Sequence, residues 1–192
     1  MSSMFADAFA AMGDGKHQPS RRNGWLGGES QDKGSRQRET RWLTPSPIVD
    51  ALGAFDLDPC GAPGHTLARR TFQIDDGQDG LELPWVGRVF LNPPYGKLTL
   101  PFMRKMADHG NGTALIFART ETAMFFETVW DRATAILFLK GRVTFLDAQG
   151  APAKANSGAP SCLVAYGAAD ATALYECGLD GMFIRLRDGG EK

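Results

Sequence analysis

Apolar residues from position 42 onward fall into short segments with two kinds of spacing. Unbroken apolar runs bounded by Gly, Pro or Asn are typical of buried strands, whereas apolar residues repeated every three or four positions are typical of helices. By these criteria the predicted strands are 55–57, 86–91, 113–118, 135–139 and 161–166. The predicted helices are 44–52, 101–109 and 121–132. We expect the segment 141–145 to extend the strand 135–139 or to pair with it.

Strands that alternate with helices predict an α/β fold. We expect a Rossmann-like, doubly wound sheet, mostly parallel, in a single domain that spans 41–187. In folds of this kind the ligand sites lie beyond the carboxyl ends of the strands. The residues that follow the predicted strands are therefore the first candidates for a functional site.

The two ends of the chain differ from this pattern. Residues 1–40 are rich in Gly, Ser, Gln and charge and lack sustained periodicity, which predicts a flexible or disordered segment. We expect the same of the C-terminus, 188–192. Four cations near the end of the first segment fit either a phosphate contact or a solvated linker. They are Lys33, Arg36, Arg38 and Arg41.

The composition of the 192 residues, 43% hydrophobic and 22% charged, is that of an ordinary globular protein. A formal net charge of −1 excludes a uniformly basic coat but not a local basic surface. No apolar run approaches the roughly 20 residues that cross a bilayer, and the N-terminus does not resemble a signal peptide. We expect a cytoplasmic protein without a membrane anchor. The three cysteines and three histidines are scattered, so we expect reduced thiols and no metal site.

The sequence Leu-Asn-Pro-Pro-Tyr-Gly at 91–96 follows a predicted strand and carries the most specific chemistry. An exocyclic amine such as that of adenine is a poor nucleophile, because its lone pair is delocalised into the ring. The Asn92 side-chain oxygen and the Pro93 carbonyl can accept both amine hydrogens, while Pro93 and Pro94 restrict the backbone that aims them. Tyr95 offers a ring on which a base flipped out of a duplex can stack. The alternative is an ordinary strand-ending turn.

This stretch resembles the (Asn/Asp/Ser)-Pro-Pro-(Tyr/Phe/Trp) motif of S-adenosylmethionine-dependent amino-methyltransferases. Within them, the chain resembles the phage-type DNA N6-adenine methyltransferases from Trp42 to about Gly167. The matching segments, in the family's order, are Trp42-Leu43-Thr44-Pro45, Phe55-Asp56-Leu57-Asp58, Asp79-Gly80-Leu81 with Trp85, Asn92-Pro93-Pro94-Tyr95, Arg119-Thr120-Glu121-Thr122, Gly141-Arg142 with Phe145, and Ala159-Pro160-Ser161. The resemblance implies a methyltransferase sheet, S-adenosylmethionine as the cofactor and DNA as the substrate.

The resemblance also implies a set of cofactor-binding residues. The loop at 58–64 is similar to the Asp-Pro-x-x-Gly-x-Gly loop of related enzymes, with its second glycine one position late. The implied residues are Thr44, Pro45, Asp58, Pro59, Cys60, Asp79 and Asn92. Acidic side chains can accept hydrogen bonds from ribose hydroxyls, and Asp75 and Asp76 are alternatives to Asp58 and Asp79 in this role. Thr44 and Pro45 also fit the N-cap and first turn of the predicted helix 44–52.

Arg119 and Arg142 each follow a predicted strand, so both fit contacts to a phosphate or a base edge of DNA. Solvated surface arginines are the alternative reading of both. Trp85 and Trp130 are more typical of a core than of a stacking platform. Cys60 is not expected to be a nucleophile, because direct methyl transfer to nitrogen needs no covalent enzyme intermediate.

The sequence thus predicts a DNA adenine methyltransferase of phage or prophage type that acts on the N6 amine of a flipped adenine in double-stranded DNA. Its catalytic residues would be Asn92, Pro93, Pro94 and Tyr95. Two alternatives stay open. One is an amino-methyltransferase that acts on cytosine N4 or on RNA, and the other is a non-catalytic DNA-binding module that keeps the fold. The recognition sequence and the oligomeric state do not follow from the sequence.

Overall fold

The computed structural model of the chain describes residues 43–147, 150–153 and 157–188. All of them belong to one compact unit, Arg38–Lys192. The segment 1–40 and residues 189–192, for which the sequence predicts flexibility, lie outside the described residues. The strands are β1 (Leu57–Asp58), β2 (Arg70–Thr71), β3 (Val89–Leu91), β4 (Gly112–Phe117), β5 (Ala135–Leu139), β6 (Ser161–Tyr166) and β7 (Gly181–Arg185). The helices are α1 (Ser46–Asp50), α2 (Thr99–His109), α3 (Ala123–Phe125), which continues as a π-helical turn (Phe126–Trp130), and α4 (Ala168–Glu176), with a 3-10 turn at Ile74–Asp76.

The described strands form one seven-stranded sheet in the order β2-β1-β3-β4-β6-β5-β7. Strands β2, β1, β3 and β4 are parallel, whereas β6 is antiparallel to β4 and β5, and β7 is antiparallel to β5. The α/β class is therefore confirmed, but the expectation of a mostly parallel sheet is wrong. The antiparallel half contains most of the paired residues. A strand buried on both faces is an unbroken apolar run whichever way it points, so the hydrophobic pattern carries no information on strand direction.

Helices cover both faces of the sheet. On one face, α2 buries Met103 and Met106 against Ile116 of β4. On the other face, α1 and α4 bury Val49 and Leu174 in a cluster that contains Leu115, the neighbour of Ile116. Successive strand residues thus enter opposite halves of the core, as side chains of a pleated strand do.

The predicted strands 135–139 and 161–166 coincide with β5 and β6, and 113–118 is one residue out of step with β4. The predicted strand 86–91 begins only at Val89, and the predicted strand 55–57 shares only Leu57 with β1. The predicted helix 121–132 is shorter at both ends and covers 123–130. The Thr122 side chain caps its start by accepting a hydrogen bond from the Phe125 N–H. The pattern did not indicate β2, α4 or β7. The strand β2 has only two residues, and β7 is an edge strand with mostly exposed side chains.

Two local expectations at the sheet's periphery are wrong. Thr44 is not a helix N-cap, since α1 starts at Ser46 with Pro45 in the cap position and no side-chain cap. The segment 141–145 neither extends β5 nor pairs with it. At Gly141, φ is +83°, in the left-handed region that glycine readily adopts. The chain turns there, and Leu146 then exchanges backbone hydrogen bonds with Leu43.

The strand order places a topological switch point between β1 and β3. These strands are neighbours, but the chain continues from β1 outward to β2 and from β3 in the opposite direction to β4. Ligands of open α/β sheets bind in the crevice beyond the carboxyl ends of the strands at such a point. Because β5 is parallel to β4, strands β1 to β5 all end at one edge of the sheet, which we call the carboxyl edge.

Candidate active site

The Asn-Pro-Pro-Tyr loop leaves β3 at the carboxyl edge and is fastened to the first turn of α2. The Thr99 hydroxyl donates a hydrogen bond to the Pro94 carbonyl at 2.8 Å. The Gly96 N–H donates to the same hydroxyl at 3.1 Å. One side chain therefore ties the residues on both sides of Tyr95 to a rigid helix.

Tyr95 lies in an aromatic group. Its ring stacks on that of Phe117 with the centroids 4.1 Å apart and the planes 16° from parallel. Phe145 contacts the edge of Tyr95 at 6.3 Å between centroids and 73° between planes. The Tyr95 hydroxyl is buried and has no hydrogen-bond partner among the described residues. Burial, with a smaller contribution from Cys162, raises the pKa of this phenol far above its usual value, so Tyr95 stays neutral.

A cavity of about 440 Å³ opens beside Tyr95, and we call it the Tyr95 cavity. Its lining consists of Tyr95, Gly96, Thr99, Leu100, Ile116, Phe117, Arg119, Thr122 and Met124. The Arg119 guanidinium lies 5.8 Å from the centroid of the Phe117 ring. The wall of this cavity thus combines aromatic rings with an exposed positive charge, a combination suited to a nucleobase and its phosphate.

A second cavity, of about 160 Å³, lies beyond β1, and we call it the Asp79 cavity. Its lining consists of Pro59, Cys60, Gly61, Phe72, Ile74, Gln78, Asp79, Gly80, Leu81, Pro94, Leu98 and Phe102. Pro94 belongs to this wall, and the next residue, Tyr95, belongs to the wall of the Tyr95 cavity. The Asn-Pro-Pro-Tyr loop is therefore part of both walls.

Three of the residues implied to bind a cofactor line the Asp79 cavity, namely Pro59, Cys60 and Asp79. Of the four acidic candidates, Asp79 is the one in this lining; Asp75 and Asp76 are exposed in the 3-10 turn. One oxygen of Asp79 accepts a hydrogen bond from the Leu81 N–H at 2.8 Å. Asp79 thus shapes the turn that forms the wall and presents its carboxylate there.

Asp58 lies directly before this lining and is almost fully buried, with 5% of its surface exposed. It accepts a hydrogen bond from the Cys60 N–H at 2.9 Å. Burial raises the pKa of the Asp58 carboxyl to about 6, against the lowering effect of that hydrogen bond. A buried carboxylate in this position is electrostatically suited to a cationic group.

Thr44 and Pro45 are not among the residues that line either cavity. Thr44 is buried, and its hydroxyl has no hydrogen-bond partner among the described residues. The His65 side chain, in the loop after β1, interacts with the Thr44 backbone, which partly offsets the lowering of the His65 pKa by burial. The Thr-Pro segment is therefore attached to the loop that carries Asp58, Pro59 and Cys60, at the margin of the site.

Asn92 and Pro93 follow β3 directly but are not in the lining of either cavity. The Asn92 side-chain oxygen is buried, and Pro93 is buried as a whole. The structure thus brings the motif together with the residues of both cavities. The two predicted acceptors directly precede Pro94, which belongs to the wall of the Asp79 cavity.

Four exposed cations follow strands that end at the carboxyl edge. Arg119 follows β4, and Arg142 follows β5, as predicted from the sequence. The sequence-based prediction of DNA contacts did not include Lys97 or Lys140. Lys97 lies in the loop after β3 and Lys140 directly follows β5, so their position after apolar runs was a usable signal. Because neighbouring strands are about 5 Å apart, the four cations are spread over roughly 15 Å of one edge.

Trp85 is a core residue, as predicted, and Trp130 packs against the same core. All three cysteines are free thiols, and burial raises the pKa of the Cys60 thiol well above its usual value, which argues against a nucleophilic role. Within the described residues, no group of three or more His, Cys, Asp or Glu side chains is arranged to hold a metal ion. No helix in the part of the chain that the structure describes is long and apolar enough to cross a membrane.

The fold and the two cavities define an α/β protein with cavities beside its topological switch point, where open α/β sheets bind their ligands. The family model described as DNA N-6-adenine-methyltransferase (Dam) matches residues 31–171. That is most of the chain, and the chain belongs to this family of DNA adenine methyltransferases. No curated protein and no solved structure gives a significant match. The family implies S-adenosylmethionine as cofactor and DNA as substrate.

Proposed function

We propose that this protein transfers a methyl group from S-adenosylmethionine to the N6 amine of an adenine that has been flipped out of duplex DNA. The observation that carries the proposal is the position of the Asn-Pro-Pro-Tyr loop in the walls of two cavities. Methyl transfer needs a site for the cofactor and a site for the base that receives the methyl group, and the two sites must adjoin each other. A loop shared by two cavities meets that requirement.

The residues of the Asp79 cavity fit the cofactor. Phe72, Leu81 and Phe102 supply apolar surface for a purine ring, and Asp79 supplies an acceptor for ribose hydroxyls. At Gly61 and Gly80 a side chain would collide with Thr71 and with the Pro59 carbonyl, so only glycine allows these segments to pack as they do. Typical ligand pockets measure roughly 300–1,000 Å³. The smaller volume here suits one portion of a nucleoside cofactor.

When bound, S-adenosylmethionine supplies an electrophilic methyl group on a positively charged sulfur. The buried carboxylate of Asp58, when ionised, favours binding of such a cation, because opposite charges attract more strongly in a low-dielectric interior than in water. The Asn92 side-chain oxygen and the Pro93 carbonyl accept hydrogen bonds from the amine. These bonds orient the amine nitrogen and stabilise the positive charge that develops on it. No step of this scheme calls on a side chain as a covalent nucleophile.

In the same proposal, the base occupies the Tyr95 cavity. Tyr95 stacks on the flipped adenine and offsets part of the stacking energy lost from the duplex. Arg119 and Arg142, with Lys97 and Lys140, contact the phosphates beside it. Sites that bind an unstacked base commonly combine aromatic rings with a nearby cationic side chain.

Incubation with tritiated S-adenosylmethionine and duplex DNA, followed by digestion and separation of nucleosides, tests the proposal. We expect label in N6-methyladenine. Label in N4-methylcytosine, or transfer only to RNA, would replace adenine as the substrate. Cofactor-independent DNA binding without label in any nucleoside would instead indicate the non-catalytic module.

A further inference from the structure

Helix α2 carries a lysine whose ammonium group is fully engaged by the backbone of the turn beneath it. Lys105 Nζ lies 3.0 Å from the Gly80 carbonyl, 2.6 Å from that of Leu81 and 2.7 Å from that of Leu83. An ammonium group has three protons to donate. All three are accounted for by these carbonyl oxygens, so Lys105 has no proton left for a substrate.

The same turn is held from two further sides. Asp79 accepts hydrogen bonds from the Leu81 N–H through its side chain and from the Leu83 N–H through its carbonyl. The Trp85 indole donates to the Gly80 carbonyl at 2.8 Å, and the Lys105 ammonium lies 5.3 Å from the centroid of this indole. Three carbonyl oxygens that converge on one point repel one another unless a cation lies between them. Lys105 therefore offsets a repulsion between the carbonyl oxygens of this turn.

Asp79, Gly80 and Leu81 belong to the wall of the Asp79 cavity, whereas Lys105, which binds this turn, is not part of the wall. We propose that Lys105 is a positioning residue for the cofactor site: by binding three carbonyls of the turn 80–83, it fixes Asp79 and Leu81 in the arrangement that receives S-adenosylmethionine. The inference rests on the proposed function, because it assigns the cofactor to this cavity. Lys105 acts through the turn and touches neither the cofactor nor the base.

The test compares cofactor affinity and turnover in Lys105→Met, which keeps the length of the side chain but removes its charge and donors. Isothermal titration with S-adenosylmethionine should show a Kd raised by about 10- to 100-fold, the loss expected when one hydrogen bond between a charged group and the ligand is no longer formed. At saturating cofactor, kcat and the KM for DNA should stay close to the parent values. The amide protons of Leu81 and Leu83 should exchange faster with solvent in the variant.

Two further variants keep the test decisive if Lys105→Met folds poorly. Lys105→Arg retains a cation with several donors and should recover part of the affinity. Arg104→Met removes the neighbouring cation of the same helix, which pairs with Glu127 on the exposed side, and should leave cofactor affinity unchanged. Equal cofactor Kd values for the parent, Lys105→Met and Lys105→Arg would overturn the inference alone. A parent protein that does not bind S-adenosylmethionine would overturn the proposed function and the inference with it.

Discussion

The ring of Tyr95 lies flat on the ring of Phe117, with 4.1 Å between centroids. One face of the aromatic ring in the Asn-Pro-Pro-Tyr motif is thus already occupied by the protein. A flipped base must therefore use the opposite face of Tyr95 or displace Phe117. In the first case Phe117 acts as a backing that holds the tyrosine ring in place for stacking.

Replacement of Tyr95 by alanine should weaken productive base binding much more than cofactor binding. Base–aromatic stacking is worth about 1–3 kcal/mol, which corresponds to roughly 5- to 150-fold in affinity. Tyr95→Phe keeps the ring and removes only a hydroxyl that has no partner among the described residues, so it should behave almost like the parent. The fluorescence of 2-aminopurine at the target position reports base flipping. Equal flipping by the alanine variant and the parent would remove the stacking role.

Thr99 should control turnover without affecting the cofactor. Thr99→Val is nearly isosteric but loses both hydrogen bonds to the loop, at Pro94 and Gly96. Freed of this restraint, the loop should aim its acceptors less well, and we expect kcat to fall about tenfold or more. Thr99→Ser retains the hydroxyl and should retain most of the rate. A lowered cofactor affinity with an unchanged kcat in Thr99→Val would contradict this assignment.

The buried carboxyl of Asp58 should lower the free energy of unfolding at neutral pH. Burial raises its pKa from 3.8 to about 6, so the native state favours the protonated carboxyl. Its stabilising contribution is complete below pH 4 and is lost as the pH rises through 6. A shift of about two units, at 1.36 kcal/mol each, amounts to about 3 kcal/mol above that range. Asp58→Asn should therefore unfold at a higher temperature than the parent at pH 8, and with little difference at pH 4.

The same substitution should weaken cofactor binding, because a neutral amide no longer attracts a cation. Titrations with S-adenosylmethionine at pH 8 and pH 5 provide the check, and the affinity of the parent should fall towards pH 5 as Asp58 becomes protonated. A variant that is less stable than the parent at pH 8 would contradict the destabilising effect of the buried carboxylate. A variant that binds the cofactor as well as the parent would remove Asp58 from the cofactor site.

Arg142→Ala should weaken DNA binding and reduce the dependence of log K on log salt concentration by about one unit, as the loss of one phosphate contact does. Arg69 is an exposed arginine that directly precedes β2 and so lies at the opposite edge of the sheet. Arg69→Ala is therefore the matched control and should keep the slope of the parent. If both variants show the same slope, the DNA does not lie along the carboxyl edge.

Part of this site is readable from the sequence. Apolar runs locate β3 and β4 in the sequence. The segments that follow these runs are loops at the carboxyl edge, so Asn92, Tyr95 and Arg119 are identified by their position after a strand. The resemblance already favours Asp79 over Asp75 and Asp76, whereas the hydrophobic pattern alone does not distinguish three acids in one short loop. Of these three, the structure places Asp79 in the lining of the Asp79 cavity.

Other features depend on contacts between distant segments. The antiparallel half of the sheet is set by how β6 inserts between β4 and β5, which a buried apolar run does not encode. Lys105 reads as an ordinary helix lysine, because its three carbonyl partners are more than 20 residues away. Thr44 is typical of a helix cap in the sequence, yet α1 begins only at Ser46, and the preceding residue, Leu43, pairs with the distant Leu146.

The central claim is that Asn92 accepts a hydrogen bond from the amine that is methylated. Single-turnover rates of Asn92→Ala and Asn92→Asp, measured with saturating cofactor, test it most directly. The alanine variant lacks the acceptor and should lose about 10²- to 10³-fold in rate while it still binds S-adenosylmethionine. The aspartate variant keeps an oxygen at the same reach and should be much faster than the alanine variant. Equal rates for the two variants, or an alanine variant close to the parent, would contradict the assignment of Asn92 as the amine acceptor.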